Sequence, residues 1–365
     1  MTLKELVFSN NDKKAVKDFL SLPKRLYPRN ELTQNKSEEL ALLCGTHILS
    51  RYFSVVPILV YRDSKAVSRA VVTLYPDDDT AYLGFFESKN DPAAAKLLFD
   101  TAIKISAENG KNRITGPVDC SFWIKYRLKT DCFYPPYTGE PYNKDYYPEL
   151  WEKNGFTVLQ KYSSNHYIVV NNDNGCEKYA QRLEEKLQGG YVIKCPSPDE
   201  FDKTLHEVYA MIIELYSDFP AYKKISEDEF CCMFSYLKSV VNYSMIKMAY
   251  FDGKPVGFYI SVPNYGNDVY GKLNIPKIIC ILKEKKKPRS YVMLYMGVDR
   301  SHRGLGKAFA EIIRQELKKQ AVPSIGALIR HGNCNQDYME QFRDYKYGYT
   351  LYSRRTNQSL ERTCC

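Results

Sequence analysis

Tyr291-Val-Met-Leu-Tyr-Met-Gly-Val-Asp299 runs directly into Arg300-Ser-His-Arg-Gly-Leu-Gly-Lys-Ala308. The first segment is apolar, β-branched and aromatic, the content of a buried strand. It closes at Gly297, where a missing side chain permits a bulge or a close backbone approach. The second segment sets Gly304 and Gly306 at the mouth of a helix predicted over 305–320. The first four N–H groups of a helix have no intrahelical partner, and the helix dipole adds about half a positive charge there. Glycines let a phosphate approach those groups, and Arg303 and Lys307 add charge. Arg303, Gly304, Leu305, Gly306, Lys307 and Ala308 therefore read as an anion cradle suited to a pyrophosphate.

Two better-known phosphate patterns are excluded. A Walker loop needs glycine at 301 and Ser or Thr at 308, where this chain has Ser301 and Ala308. The dinucleotide fingerprint needs a third glycine at 309, which is Phe309.

Working outward, the 365 residues suit two domains, and 44% hydrophobic with 26% charged residues is ordinary for a globular protein. No run approaches the ~20 apolar residues of a membrane span. The opening Met-Thr-Leu-Lys-Glu-Leu lacks a basic region followed by an apolar run, so no secretion signal is expected. Eleven cysteines without C-x-x-C spacing read as reduced thiols of a cytoplasmic protein. Five scattered histidines argue against a metal site. The net charge is +9, and seven basic residues against the single acid Glu284 fall within 272–289. That run is either a solvated loop or a surface for a phosphorylated or acidic partner. No nucleic-acid motif accompanies it, so nucleic acid is not an expected partner.

The first half predicts helices over 13–20 and 37–52, strands over 55–62, 66–75 and 81–87, and a helix over 91–108. A break at Gly116-Pro117, a Tyr- and Pro-rich loop, a helix over 145–153 and a β-rich run over 156–170 follow. Asn171-Asn172-Asp173-Asn174-Gly175 reads as a linker, giving domains 1–171 and 172–365. The second half predicts helices over 177–187, 198–216 and 226–240 and a hairpin around Asp252-Gly253. After the basic connection come the motif strand and helix, a strand over 324–329, a helix over 335–344 and a strand over 345–354. Both halves share this order, so the fold class expected is α/β (α+β). It consists of two tandem copies of one domain, each a mixed, mostly antiparallel sheet flanked by helices.

Ser301-His-Arg-Gly-Leu-Gly306 resembles the acyl-coenzyme A motif Q/R-x-x-G-x-G/A of the GNAT superfamily of N-acyltransferases, with serine in the leading position. Leu150-Trp-Glu-Lys-Asn-Gly-Phe156 resembles the family's late helix and turn in the first half. There Glu87-Ser-Lys-Asn-Asp-Pro92 stands in place of the phosphate turn, without glycine and with two acids that repel a pyrophosphate. The first domain is thus expected to have lost CoA binding. The chain as a whole is similar to tandem GNAT-like bacterial proteins of poorly defined substrate. The likeness rests on Phe19-Leu-Ser-Leu-Pro-Lys-Arg-Leu-Tyr27, Gly84-Phe-Phe86, Gly116-Pro117 and the basic insertion.

The resemblance implies an acyl-CoA-dependent N-acyltransferase. An amine attacks the thioester of acetyl-CoA or a longer acyl-CoA directly, and no metal takes part. It implies that the backbone of Met296, Gly297 and Val298 pairs with the pantetheine arm and offers an N–H to the thioester oxygen. The family's N-x-x-A-x-x-x-Y pattern begins at Asn335 but meets Phe342 at the tyrosine. Tyr338, one helical turn earlier, is the candidate acid, with packing as its other reading. Glu214 and Asp218 are candidates for the base, against ordinary ion pairing, and His302 reads as a turn residue. The basic connection would contact the 3′-phosphate of CoA or an acidic acyl carrier protein. Its Ile275, Ile278, Ile279, Ile281 and Leu282 either cover a longer acyl chain or dock the insertion on the core. Phe342, and the lack of an acid within 290–298, keep open a catalytically silent acyl-CoA-binding or scaffold protein. The acceptor amine, acyl length and oligomeric state are not readable from the sequence.

Overall fold

The computed structural model describes residues 2–333 and 335–357. In chain order the first elements are β1 (Leu3–Val7), α1 (Lys13–Leu26), α2 (Lys36–Leu43), β2 (Ser54–Arg62), β3 (Lys65–Leu74), β4 (Thr80–Ser88) and α3 (Pro92–Glu108). Then come β5 (Arg113–Gly116), β6 (Leu128–Lys129), α4 (Tyr147–Lys153), β7 (Thr157–Tyr167), α5 (Glu177–Gln188), β8 (Val192–Lys194), α6 (Phe201–Leu215), α7 (Glu227–Phe234) and α8 (Leu237–Val240). The last are β9 (Ile246–Phe251), β10 (Lys254–Pro263), α9 (Ile275–Lys286), β11 (Tyr291–Val298), α10 (Leu305–Gln320), β12 (Ser324–Arg330) and β13 (Arg343–Arg355).

Two compact units emerge. One comprises the described residues of Met1–Pro136, Pro141–Lys161 and Tyr349–Cys365; the other comprises Tyr137–Glu140 and Tyr162–Gly348. The chain therefore changes unit within β7 and again within β13, and the polar segment 171–175 expected as the boundary lies inside the second unit. Strand pairing is the reason. Tyr162–Tyr167 pairs with β12, whereas Tyr352–Arg355 pairs with β5.

The first unit orders its strands β1-β2-β3-β4-β5-β13, with β6 also on β13. Its pairs are antiparallel except β4–β5. Phe86, Phe99, Trp151 and Phe156 pack together at its centre. The second unit orders its strands β7-β12-β11-β10-β9-β8, antiparallel except β11–β12. There α10 buries Leu305, Phe309, Ile313 and Leu317 along one face.

The helix expected over 226–240 is broken at Ser235 and Tyr236 into α7 and α8, and three others differ from expectation for a visible reason. α1 continues through Pro23 to Leu26 rather than stopping near 20. Proline leaves the carbonyl four residues back without its helical donor. Here that carbonyl is Phe19's, and the Arg69 guanidinium donates to it at 3.0 Å. α2 ends at Leu43 rather than near 52: Gly45 takes φ +70° and Thr46 N–H closes on the Ala41 carbonyl at 2.9 Å, a glycine C-terminal cap. The helix expected over 335–344 is absent, replaced by turns and a single 3₁₀ turn at Glu340–Phe342. Side chains hold its backbone instead. Asn165 donates to the Gln336 carbonyl (2.9 Å), Tyr167 to the Tyr338 carbonyl (2.9 Å), and the Met339 N–H donates to Tyr179 (3.0 Å). Met339 itself sits at φ +54°.

Candidate active site

β11 pairs in parallel with β12 only at Tyr291–Ser324, Val292–Ile325 and Met293–Gly326. On its other side Ile260 of β10 faces Tyr295 while Ser261 faces Met293. Leu294 is therefore an extra residue, a bulge that bends β11 where it leaves β12. Of the two readings of Gly297, the bulge falls three residues earlier, at Leu294, and close packing is what the glycine permits.

Beyond it the pairing alternates regularly. The Asp299 N–H bonds the Val256 carbonyl at 3.0 Å. Residues of an antiparallel pair alternate between groups turned toward the partner and groups turned away. Gly297 therefore points its N–H at β10, and the backbone groups of Met296 and Val298 point to the parted side. Gly297 contributes space rather than a donor. A Cβ there would lie 2.4 Å from the Phe258 ring and 2.8 Å from Leu215 of α6.

The turn after β11 is shaped by Asp299. Its Oδ1 accepts the Ser301 N–H at 2.8 Å and the Ser301 hydroxyl at 2.5 Å. The hydroxyl bond, then the amide bond, hold the Asp299 carboxyl below its ordinary value. Serine in the family's Gln/Arg position thus braces the turn. His302 is a turn residue: Nδ1 meets the Tyr191 hydroxyl at 2.8 Å and the ring stands against Tyr191 and Phe251.

Gly304 caps α10 at φ +87°, a left-handed conformation that favours glycine. The amides of Leu305, Lys307 and Ala308 already bond to carbonyls within the turn, and the Leu305 and Ala308 side chains are buried in the core. Those two residues anchor the turn to the sheet. The amides of Arg303, Gly304 and Gly306 have no hydrogen-bond partner among the described residues, and Arg303 and Lys307 make no ion pair there. Three donors and two cations thus remain for an anion.

Arg182 of α5 stands beside them, its guanidinium ion-paired with Glu185 at 2.6 Å. A Cβ on Gly304 would fall 2.8 Å from its Cδ and 3.1 Å from its Nε. Nothing in the sequence marks Arg182, because it reaches the turn through the packing of α5 on α10.

Tyr338 arrives from the segment that fails to become a helix. Its hydroxyl lies 3.1 Å from where a Gly306 Cβ would stand, and Met296 Cε lies 3.8 Å from the same point. Tyr338, Met296 and Gly306 are therefore brought together. The Tyr338 ring stands edge-on to Tyr179, and Tyr167, whose pKa burial pushes up to about 12, grips its carbonyl. Phe342 is core, packed with Tyr167, Tyr179 and Met339. Tyr345 turns elsewhere, stacked on His166. Asp218 is held by Arg330, at 3.2 Å through its carbonyl and 3.4 Å through its carboxylate, and Glu214 is exposed.

The first unit carries the same parting. β4 pairs with β5 only as far as Tyr82–Thr115, and it gains one residue between its pairings with Arg69 and Val71, where Phe85 takes φ +50°. Here the chain itself enters the gap. The Val118 N–H bonds the Leu83 carbonyl at 2.9 Å, and Asp119 Oδ1 accepts the Phe85 N–H at 2.5 Å. A Cβ on Gly84 would lie 2.0 Å from the Val118 oxygen. The following helix, α3, is capped by Asp91, which accepts from Ala94 N–H (3.1 Å) and receives two 2.8 Å bonds from Arg62.

No protein-family model matches the sequence. Over 201 residues the chain is 23% identical to Protein YghO of Escherichia coli (strain K12), a match covering 54% of this chain and about half (50%) of that relative's length. Among solved structures, a tandem GNAT protein from the clavulanic acid biosynthesis pathway superposes with a TM-score of 0.53 at 12% identity, covering 98% of this chain and 100% of that one. The chain has the tandem GNAT fold, a mixed α/β architecture. Among the described residues no helix is long and apolar enough to cross a membrane.

Proposed function

We propose that the second unit is an N-acyltransferase site that takes its acyl group from an acyl-CoA and passes it to an amine. The observation that carries this reading is one convergence. The outward backbone of Met296 and Val298, the amide donors of Arg303, Gly304 and Gly306, and the Tyr338 hydroxyl meet at the amino end of α10. A pyrophosphate suits the three amides, with Arg182, Arg303 and Lys307 neutralising its charge. The turned-out backbone of Met296 and Val298 suits an amide-bearing arm, which would add to β11 as a strand does. The thioester supplies an activated carbonyl when bound. As the amine's C–N bond forms and the C–S bond breaks, the N–H groups of Met296 and Val298 serve as donors where negative charge grows, the Tyr338 hydroxyl protonates the departing thiolate, and the proton shed by the amine passes through water to restore the tyrosine. We assign no metal to this chemistry and propose the cytoplasm as its compartment.

Calorimetric titration with acetyl-CoA and longer acyl-CoAs tests the donor, and thiol release across a panel of amines tests the reaction. Absence of binding to every acyl-CoA overturns the proposal. Binding without thiol release favours an acyl-CoA-binding protein without chemistry, a reading supported by Phe342 in place of the family's tyrosine. A donor borne on an acidic carrier protein would instead give rates that fall steeply with salt.

A further inference from the structure

We propose that α9 (Ile275–Lys286) is an interfacial helix that lays the second unit on an anionic lipid surface. The helix is well specified. Asn274 caps it by accepting the Lys277 N–H at 3.1 Å, Pro276 stands in its first turn, and Lys283, Lys285 and Lys286 fill its last turn, where the dipole favours cations.

One side of it is tied down. Lys285 Nζ donates to the Ser239 carbonyl at 2.7 Å, and Asn242 donates to the Lys285 carbonyl at 3.2 Å. Glu284, on the same side, is buried, and its two oxygens accept from the Arg289 N–H and Nε at 2.7 and 2.8 Å. The one acid of the segment is therefore internally neutralised.

The opposite side carries Ile275, Ile278, Ile279 and Leu282, exposed by 74, 43, 45 and 60%. Their spacing of three, four and seven residues places them in a single stripe along the helix. Of the five apolar residues of the basic connection, these four face outward, while Ile281 is half-buried on the side of Glu284. Lys283 flanks the stripe, Lys286 continues it one turn beyond Leu282, and Lys272 and Lys287 stand near its two ends.

The composition selects the partner. Protein interfaces draw their energy from Trp, Tyr and Arg and are poor in Lys. This face is aliphatic and lysine-rich, without an aromatic residue among its outward positions. Isoleucine and leucine sink into the headgroup boundary, while lysine stems lie along the apolar layer and hold their ammonium groups at anionic headgroups. The helix is too short to span a bilayer and is built to lie on one. This inference concerns a different surface from the acyl-CoA turn and stands independently of the reaction proposed there.

The test is flotation of the full chain with vesicles of phosphatidylcholine alone and of phosphatidylcholine mixed with phosphatidylglycerol, at low and high salt. We expect binding only to the mixed vesicles, at least about tenfold weaker at high salt. Ile278→Asp with Leu282→Asp, and separately Lys283→Glu with Lys286→Glu, should each abolish it. Both pairs sit on the exposed side, so the melting temperature should stay unchanged. Equal binding to neutral vesicles, no binding to either kind, or survival of binding in either variant overturns the proposal. So does a dimer, or a complex with an acidic carrier protein, that the variants break while the native chain ignores lipid.

Discussion

In the first unit β4 gains a residue near Phe85 and parts from β5 after Tyr82; in the second β11 bulges at Leu294 and parts from β12 after Met293. A parted strand pair strips backbone N–H and C=O groups of their ladder partners, and those groups must be satisfied by something else. The first unit satisfies them internally, with Val118 and Asp119 standing where a ligand's amides would stand. It also closes its helix end with Asp91, whose carboxylate is already paired with Arg62. The second unit turns Met296 and Val298 toward the gap and caps its helix with a glycine that has no side chain to offer. The same deformation of the sheet is closed by the chain itself in one unit and, in the other, leaves the edge proposed above to receive the acyl-CoA arm. The difference is set by what the chain places beside it.

The largest effect expected is at Gly306. Gly306→Leu puts a branched side chain against the Tyr338 hydroxyl, 3.1 Å from the Cβ position, and fills the cradle. Acyl-CoA affinity should drop about 100-fold, on the order of 2.7 kcal/mol, with calorimetry as the readout. Unchanged affinity would mean that the turn is not what separates the two units. Next is Tyr338→Phe: kcat should fall about 100-fold while KM for the donor holds, the signature of a lost proton donor. A fall in donor affinity at constant kcat would reassign Tyr338 to binding.

Opening the first unit is the third way to press the contrast. Asp119→Ala strands the Phe85 N–H and removes the partner that Lys125 holds at 3.0 Å. Stability in a denaturant titration should fall by about 1–3 kcal/mol. No second acyl-CoA site should appear, because Asp91 still closes α3. A second binding event in that variant would show that the plug alone silences this copy.

A fourth effect is pH-dependent. Glu87, expected in a turn, lies within β4 opposite Arg69 of β3, and it accepts the hydroxyls of Tyr27 (2.8 Å) and Tyr147 (2.7 Å) on one oxygen. Burial holds its carboxyl above the ordinary value, against the opposing pull of Arg69 and both tyrosines. The folded state therefore binds this proton more tightly than the unfolded chain does. The contribution is fully present below the unfolded pKa and is lost as pH rises through the folded one. Glu87→Gln keeps an acceptor for both hydroxyls without the charge. It should gain in stability on the native chain as pH rises from acid to neutral. Melting curves at matched pH would expose the opposite trend.

Arg182→Ala carries the smallest change. Acyl-CoA affinity should weaken roughly three- to tenfold at low salt and less at high salt, as for a partly exposed charge. A salt-independent loss would point to packing against Gly304 instead.

Much of this was legible beforehand because it is local. The strand, the turn and α10 were expected within a residue of where they lie, since apolar content, paired glycines and a helical period all act over short range. The elements that misled were governed from a distance. Helix α1 outlasts Pro23 because Arg69 arrives from β3, and the helix over 335–344 dissolves because Asn165, Tyr167 and Tyr179 take its backbone groups. Tyr338 was named from a helical spacing that does not form, yet the same rearrangement carries its hydroxyl to Gly306.

The sequence by itself determined the tandem order of elements, the glycine turn and its lack of a counterpart at Glu87–Pro92, because propensity, period and the special conformations of glycine are properties of short segments. Tertiary structure alone decided that strands depart the first unit and return to it through β7 and β13, that Arg182 stands beside Gly304, and that Val118 and Asp119 occupy one parted sheet edge while the other is left to face outward. Each of these depends on which distant backbone groups become neighbours, and only the closing of the sheets fixes that.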